Sequence, residues 1–204
     1  NKYSNFRVID ANYEFNYSKI NNQAVEAAKG EYIVLLNNDT EIITPHWLQV
    51  MVGYAMQPHI GAVGAKLLYP DNTVQHAGII LGIGGIAQHC FIDNPREDVG
   101  FYGRLSVPFN YSAVTAACLM VSKEKYLEVN GLEEDLQVAF NDVDFNLKLL
   151  KQGYYNICLN QVELYHYESK SRGDDTVDTK SAKYRRFVPV SYTHLRAHET
   201  SAHL

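Results

Sequence analysis

The chain has 204 residues, of which 46% are hydrophobic and 20% are charged, and its formal net charge is −5. This composition is typical of one globular domain or two small ones, and it excludes a disordered tail, a collagen-like repeat and a disulfide-stapled miniprotein. No apolar run reaches the roughly 18 residues of a membrane span, and the scattered basic side chains argue against nucleic-acid binding.

The first third of the chain alternates predicted helices and strands. It begins at Asn1, with neither an initiator Met nor a signal peptide. Hydrophobic spacing and capping residues predict, in order, a strand at 7–10, a helix opened by Asn16 or Ser18 and closed near 29 by Gly30, a strand buried on both faces at 32–36, and a helix that follows the N-cap Thr44 and Pro45.

The rest of the chain contains more strands and fewer helices. We predict strands at 62–69 and 73–81, an irregular glycine-rich loop at 82–110, a strand at 113–122, a helix at 123–129, a helix at 141–152 between Asn141 and Gly153, strands at 154–159 and 162–167, and a helix at about 176–186. This order of elements predicts a mixed α/β sheet with mostly parallel strands.

The last residues of the chain do not read as natural protein. Residues 190–204 have neither clear periodicity nor a capped element, and they resemble the translation of a sequencing adapter. We therefore treat 1–189 as the native part of the chain and 190–204 as a non-native tail.

Asn37, Asn38 and Asp39 follow the apolar strand at 32–36. Ligands of open α/β sheets bind outside the carboxyl ends of strands, where a carboxylate can hold a divalent cation that bridges phosphate oxygens. Asn and Asp are also the commonest turn residues, so an ordinary turn explains the same residues.

Asp142 and Asp144 lie in the first turn of the helix that Asn141 is predicted to cap. One of them could act as a general base toward a hydroxyl group. The structural explanation is equally good, because acidic side chains are favourable at the positive end of the helix dipole.

Three further features have a functional and a structural interpretation. His166 follows a strand and could complete a metal site, and Arg172 in the polar loop after it could bind a phosphate. The segment 75–78, with the glycines that follow it, lacks phosphate-loop spacing, so close packing explains it better. Trp47 fits core packing better than a sugar platform.

Several segments together carry a resemblance to a known family. They are residues 15–22, 28–40, 61–66, 75–78, 113–121, 140–144 and 166–173. In this order they resemble the family 2 glycosyltransferases, and especially bacterial, rhamnosyltransferase-like members that build surface polysaccharide. The resemblance covers nearly all of residues 5–175, so 1–189 would be a partial glycosyltransferase catalytic domain.

The resemblance implies a Rossmann-like fold called GT-A, in which helices flank a mixed, mostly parallel sheet. The family's first strands, which hold much of the nucleoside, have no counterpart in this sequence. We therefore expect a sheet that lacks its first strands, in a chain that is N-terminally truncated and inactive or very weakly active.

The resemblance also implies a mechanism. Asp39 matches the last acid of the family's metal-binding motif, in which Asn37 replaces an Asp, and His166 would support the same cation, Mg²⁺ or Mn²⁺. Asp142 matches the second acid of a Glu-Asp motif, in which Asn141 replaces the Glu, and it would deprotonate the acceptor hydroxyl. Direct displacement would invert the anomeric carbon.

The remaining candidates would contact the substrates. Their positions in the family pattern assign the donor or its diphosphate to Lys19, Asn22, Asn37, Asn38 and Arg172, and the acceptor or sugar side to Thr115, Ala116, Asp144 and Trp47.

The function implied is the transfer of a hexosyl or rhamnosyl group from a nucleotide sugar to a saccharide or lipid-linked acceptor, in polysaccharide synthesis. The alternative is a non-catalytic carbohydrate-binding or scaffolding relic of the same fold, which Asn37 and Asn141 favour. We expect a cytoplasmic protein, at the inner face of the membrane if the acceptor is lipid-linked, because the 3 cysteines are too few and too far apart for a disulfide framework.

Overall fold

A computed structural model describes residues 7–82 and 86–167 of the chain. The predictions for Arg172, for the helix at 176–186 and for the tail at 190–204 lie outside these described residues.

The described residues form four α-helices and nine β-strands. The helices are α1 (Tyr17–Ala27), α2 (Trp47–Ala55), α3 (Lys123–Glu128) and α4 (Asn141–Lys151). The strands are β1 (Tyr32–Leu36), β2 (Thr40–Ile42), β3 (Ile60–Leu68), β4 (Val74–His76), β5 (Ile79–Leu81), β6 (Ala87–His89), β7 (Phe109–Tyr111), β8 (Cys118–Ser122) and β9 (Tyr155–His166). No helix in this part of the chain is long and apolar enough to span a membrane.

The main sheet has the strand order β1-β8-β3-β9-β2, with β4 added to β3 and β7 added to β9. The predicted mixed α/β sheet is confirmed, but of its described pairs β3 and β9 run parallel and the others antiparallel. Strand β8 lies antiparallel between β1 and β3, so β1, β3 and β9 all point the same way. The helices that separate the strands in the sequence predicted this common direction. They could not show that β8, which comes later in the chain, is inserted between β1 and β3.

Helices cover both faces of the sheet. One core cluster contains the side chains that α1, α3 and α4 contribute, which are Val25, Tyr126, Phe145 and Leu149. The other contains Met51 and Ala55 of α2. All nine residues of β3 are buried, and this strand contributes Ala62 to the first cluster and Val63, Ala65 and Leu67 to the second. Strand β3 is therefore the centre of a three-layer α/β/α arrangement.

Two helices begin or end away from their predicted positions, and residues 7–10 are not a strand. Helix α1 follows the N-cap Asn16, which is the first of the two predicted caps, but its C-cap is Ala28 instead of Lys29. Helix α2 begins after His46 instead of at Pro45. Thr44 does not cap it, because the Thr44 hydroxyl accepts the Glu163 N–H at 2.9 Å and so joins β9.

Several strand predictions are also corrected. The predicted strand 73–81 is broken by Gly78, whose φ of +102° ends β4 and starts β5. The predicted loop 82–110 contains β6, β7 and a short 3-10 helix at Phe101–Gly103. The predicted strand 113–122 is regular only from Cys118 onward. The two predicted strands after α4 form the single strand β9, with an irregularity between residues 159 and 163.

Capping of α4 also differs from the prediction. Phe140, in a left-handed conformation, occupies the N-cap position, and Asn141 is the first helical residue. Gly153 follows the C-cap Gln152 with a φ of +89°, as predicted.

The cysteines are free, as predicted. Burial raises the pKa of Cys118 to about 12 and that of Cys90 to about 11. Both thiols therefore stay protonated at neutral pH, which makes them poor nucleophiles and poor metal ligands.

A charged cluster joins β3 to β9. The Glu163 carboxylate forms one ion pair with the buried Lys66 ammonium at 2.6 Å and another with the Arg96 guanidinium at 2.7 Å. Burial by itself would raise the pKa of Glu163, but the hydrogen bonds and charges of the two cations outweigh it and hold this pKa below its ordinary value of 4.5. The carboxylate is therefore ionised throughout the neutral pH range.

Replacing Gly64 should destabilise the central strand. A Cβ at Gly64 would lie 2.5 Å from the Cβ of Val114, whereas a Cβ at Gly53 on α2 meets nothing within 4 Å. We expect Gly64→Ala to lower the free energy of unfolding by about 1–3 kcal/mol. The control Gly53→Ala should leave it unchanged or raise it by up to about 1 kcal/mol. Urea denaturation of both variants measures this, and equal stabilities would contradict the packing at β3.

Replacing Glu163 should destabilise the chain in a pH-dependent way. Glu163→Gln leaves the buried Lys66 without its carboxylate, and we expect a loss of about 3 kcal/mol at pH 7. Because the folded pKa of Glu163 lies below 4.5, its contribution is complete above about pH 4.5 and is lost as the pH falls through the folded pKa. The difference from wild type should therefore shrink in acid, as measured by urea denaturation across pH. Glu31→Gln, at an exposed position, is the control.

Candidate active site

The carboxyl ends of β1, β3 and β9 meet at one edge of the sheet, because the three strands point the same way. Asn37 follows β1 there, and His166 is the last residue of β9. Strand β2 pairs its first residue, Thr40, with His166, and the Tyr167 N–H bonds to the Asp39 carbonyl at 2.9 Å. The turn between β1 and β2 therefore places Asp39 beside His166.

Three polar side chains converge at this edge. The Asp39 Oδ1 atom lies 3.3 Å from His166 Nε2, and the Asn37 Nδ2 atom lies 3.2 Å from the same nitrogen. Asp39 Oδ1 is buried and accepts no hydrogen bond from the described residues, although the Asp39 side chain as a whole is 41% exposed. An anionic oxygen without a donor is costly when buried, so this position favours a bound cation.

Asp142 lies on the other side of the same edge, in the first turn of α4. Its Oδ2 atom accepts the Ala116 N–H at 3.1 Å, and its Oδ1 atom accepts the Val143 N–H at 2.8 Å. Two backbone donors thus fix the direction of the carboxylate. The neighbouring Asn141 is buried and satisfied locally, because it donates to the Leu136 carbonyl and accepts the Asp142 N–H.

Residues 115–117 separate the two carboxylates and bond to both sides. The Ala117 carbonyl accepts the Asn37 N–H at 3.0 Å, and the Ala116 N–H donates to Asp142. The Ala116 carbonyl accepts the Tyr17 hydroxyl of α1 at 3.2 Å. The predicted sugar-side residues Thr115 and Ala116 therefore lie next to Asp142, and the adjoining Ala117 bonds to the turn that contains Asp39.

The His76 side chain forms a hydrogen bond to the same segment, 115–117. It is fully buried, and its Nε2 atom accepts the N–H groups of Gly78 at 3.3 Å and Thr115 at 3.4 Å. Burial, and then the nearby imidazoles of His89 and His166, holds the pKa of His76 well below its ordinary value of 6.5. The ring therefore stays neutral at pH 7 and can accept both bonds.

Sequence analysis missed the contribution of Gln75, His76 and Tyr17. The Gln75 side chain is buried and lies against His166, with 2.7 Å between Oε1 and Nδ1. The glycines at and after the segment 75–78 favour a packing role for it, which hides the polar contacts of Gln75 and His76. The sequence does contain a signal, because the polar residues Gln75 and His76 lie between the apolar residues Val74 and Ala77. Polar side chains that are buried in this way require specific hydrogen-bond partners.

Other predicted site residues bond elsewhere. Asn22 bonds to the backbone of Leu132 and to the Tyr126 hydroxyl, so it supports the loop before α4. The Lys19 ammonium lies 4.5 Å from the centre of the Tyr13 ring. Their predicted donor contacts stay predictions.

The predicted acceptor-side residues also have structural partners. Asp144 is fully buried and pairs with Lys148 at 2.9 Å. Trp47 packs against the core cluster that contains Met51. Asn38 is exposed in the turn between Asn37 and Asp39.

The described residues include no cluster of three or more His, Cys, Asp and Glu side chains that could hold a metal ion. Asp39 and His166 could nevertheless supply two ligands, because a buried carboxylate oxygen without a donor lies next to an imidazole nitrogen. Mg²⁺ is commonly held in this way, by one or two carboxylates, with substrate phosphates and water completing its shell.

Comparison with known proteins gives the same family for most of the chain. The family model described as Glycosyl transferase family 2 matches residues 1–124. The chain is 45% identical over 194 residues to the uncharacterized protein y4gI of Sinorhizobium fredii (strain NBRC 101917 / NGR234), which covers 95% of the chain and 21% of that protein. It is 41% identical over 172 residues to the O-antigen biosynthesis protein RfbC of Myxococcus xanthus, covering 81% of the chain and 13% of that protein. The chain thus spans a small part of either relative.

Two solved structures share the fold. GalNAc-T7, in a crystal structure with UDP, GalNAc and Mn²⁺, superposes with a TM-score of 0.65 at 12% identity, over 89% of this chain and 35% of its own. The mannosyltransferase PcManGT from Pyrobaculum calidifontis, in complex with GDP-Man and Mn²⁺, gives 0.55 at 17% identity, over 80% and 40%. These similarities confirm the predicted GT-A-like fold.

Removing the His76 acceptor should loosen the segment between the carboxylates. His76→Phe leaves two buried backbone N–H groups without an acceptor, and we expect a loss of about 2 kcal/mol in the free energy of unfolding. Hydrogen exchange at the Thr115 amide should be faster in this variant than in the wild-type chain. His59→Phe, at an exposed position, is the control. Unchanged exchange at Thr115 would show that His76 does not hold this segment.

Proposed function

Because the chain belongs to the family 2 glycosyltransferases, we propose that it carries the reaction centre of an inverting glycosyltransferase. The reaction would transfer a sugar, of hexosyl or rhamnosyl type, from a nucleotide sugar to a hydroxyl group of a saccharide or lipid-linked acceptor. The observation that carries the proposal is the position of Asp39 and Asp142, whose segments bond to the same three residues, 115–117, from two sides.

We assign the diphosphate side to Asp39 and His166. A divalent cation, Mg²⁺ or Mn²⁺, when bound there would offset the charge of the nucleoside diphosphate leaving group. Asp39 and His166 would hold that cation at the edge of the sheet, because the Asp39 carboxylate by itself repels the anionic end of the donor. Asn37 and Asn38 lie in the same turn, and we assign them to the donor, together with Lys19, Asn22 and Arg172 from the family pattern.

We assign the acceptor side to Asp142. Each of its carboxylate oxygens accepts one backbone N–H, and a carboxylate oxygen has a second lone pair for a proton. Asp142 would take the proton of the acceptor hydroxyl while that oxygen bonds to the anomeric carbon. The bond from this carbon to the diphosphate oxygen breaks on the opposite face, which inverts the configuration.

Two amides replace acids of the family pattern, and the alternative of a non-catalytic relic depends on them. In the structure, Asn37 contacts His166, and Asn141 bonds to the Leu136 carbonyl behind Asp142. Both amides therefore support the retained acids, which favours the enzyme over the relic.

The relative from Myxococcus xanthus is named an O-antigen biosynthesis protein. This name supports a role in cell-surface polysaccharide synthesis. We place the reaction in the cytoplasm, at the inner face of the membrane if the acceptor is lipid-linked.

Loss of either carboxylate should abolish transfer in the full-length protein. We expect Asp142→Asn to lower turnover by about 100- to 10,000-fold, because the base is lost while the shape of the side chain is kept. Asp39→Asn should lower it by about 100-fold or more. The measurement is release of nucleoside diphosphate from a panel of nucleotide sugars with saccharide acceptors, followed by NMR of the anomeric configuration of the product.

Asp135→Asn, at an exposed position in the loop before α4, is the matched control and should keep full turnover. Wild-type protein that binds saccharide but turns over no donor would support the relic. Turnover that survives both Asp39→Asn and Asp142→Asn would overturn the residue assignments, and a retained anomeric configuration would overturn inversion.

A further inference from the structure

Gln75 is placed against His166 by an irregularity in the sheet. Strand β4 pairs His76 with Leu67 and Val74 with Leu68, so three residues of β4 oppose two of β3. Gln75 is the extra residue. An extra residue of this kind is a β-bulge, and bulges next to active sites commonly redirect a side chain. The Gln75 side chain is 2% exposed and bonds to His166 twice.

We propose that Gln75 is a positioning residue that fixes the tautomer of His166, so that the ring presents an unprotonated Nε2 to Asp39. The proposal rests on the proposed function in one respect: the proposed function is what makes His166 Nε2 a ligand of the cation. The proton on His166 Nδ1 follows from the hydrogen bonds alone, and in a neutral ring it leaves Nε2 unprotonated.

The orientation of the Gln75 amide is set by a backbone group. Gln75 Nε2 lies 3.3 Å from the His166 carbonyl oxygen, which can only accept a hydrogen bond. The amide nitrogen must therefore face this carbonyl. The amide oxygen then faces the imidazole, with 2.7 Å between Gln75 Oε1 and His166 Nδ1.

The amide orientation in turn decides which ring nitrogen carries the proton. An amide oxygen only accepts, so His166 Nδ1 must donate and must carry the hydrogen. In a neutral ring, Nε2 then has a lone pair. The Asn37 amide nitrogen lies 3.2 Å from Nε2 and can donate to that lone pair, and a cation bound at Nε2 would replace this hydrogen bond.

The result is a pair of electron-donating atoms at the edge of the sheet. His166 Nε2 and Asp39 Oδ1 lie 3.3 Å apart, and the His166 side chain is 6% exposed, so neighbouring groups restrict the ring. A ligating His usually donates its other N–H to an acceptor, which fixes the ring and raises its basicity. The Gln75 amide oxygen is that acceptor, and it comes from β4, which is far from both Asp39 and His166 in the sequence.

The tautomer can be measured without any metal. In the 204-residue chain labelled with 15N-histidine, the His166 signals should show a protonated Nδ1 and an unprotonated Nε2. Gln75→Met keeps the length of the side chain but removes the acceptor, and it should shift His166 toward the other tautomer. Gln75→Glu keeps an oxygen acceptor and should retain the wild-type tautomer. Gln88→Met, at an exposed glutamine, is the control.

A wild-type spectrum with an unprotonated Nδ1, or with both nitrogens protonated at pH 7.5, would overturn the proposal. This test uses only the wild-type chain, so it does not depend on whether a variant folds. A folded Gln75→Met variant with an unchanged tautomer would overturn it as well.

Binding of Mn²⁺ alone, followed by EPR, gives a second readout. Gln75→Met should weaken the affinity about 10- to 100-fold, as for other residues that orient a metal ligand, whereas Gln75→Glu should not. If Asp39→Asn weakens Mn²⁺ binding and Gln75→Met does not, the positioning role fails and the proposed function stands. If the predicted tautomer is observed but Asp39→Asn leaves Mn²⁺ binding unchanged, the tautomer assignment stands and the metal assignment of the proposed function fails.

Discussion

The backbone of residues 115–117 is the constraint on which the rest of the site depends. Buried N–H and C=O groups must find partners, and here each partner comes from a different part of the chain. His76 accepts from Thr115, Asp142 accepts from Ala116, and Tyr17 and Asn37 donate to the carbonyls of Ala116 and Ala117. Shifting this short segment would break bonds to the turn after β1, to β4, α1 and α4 together, so the backbone at Asn37 and the Asp142 carboxylate are held at fixed positions relative to each other.

Asparagine side chains continue this network behind the segment. Asn146 of α4 accepts the Val114 N–H and donates to the Val114 carbonyl, as a second backbone strand would. Asn156 of β9 continues the chain of bonds, because it donates to the carbonyls of Asn146 and Ser112 and accepts the Ala62 N–H. An unpaired buried amide costs about 1–3 kcal/mol, so such a network fixes one arrangement of helix and strand. The two amides that replace family acids, Asn37 and Asn141, also bond to the groups around the carboxylates.

Much of the fold and part of the site could be predicted from the sequence. Helices α1, α3 and α4 and strand β1 follow from local hydrophobic spacing and from caps such as Asn16, which act within a few residues. The breaks at Gly78 and at Cys118 could not be predicted in this way. Gly78 adopts a φ of +102° where a Cβ would lie 2.3 Å from the Tyr111 ring, and that ring comes from a strand about 30 positions later in the sequence.

The sequence by itself determined which residues have the chemistry for a reaction and on which local element they stand. Asp39 follows an apolar strand, and Asp142 lies in a first helical turn, because residue type and spacing suffice to place a side chain at the end of an element. Only the tertiary structure decided which of them meet. His166 contacts Asn37 across 129 positions and Gln75 across 91. These contacts depend on the order and register of the strands, and above all on the insertion of β8 between β1 and β3, which no local period in the sequence records.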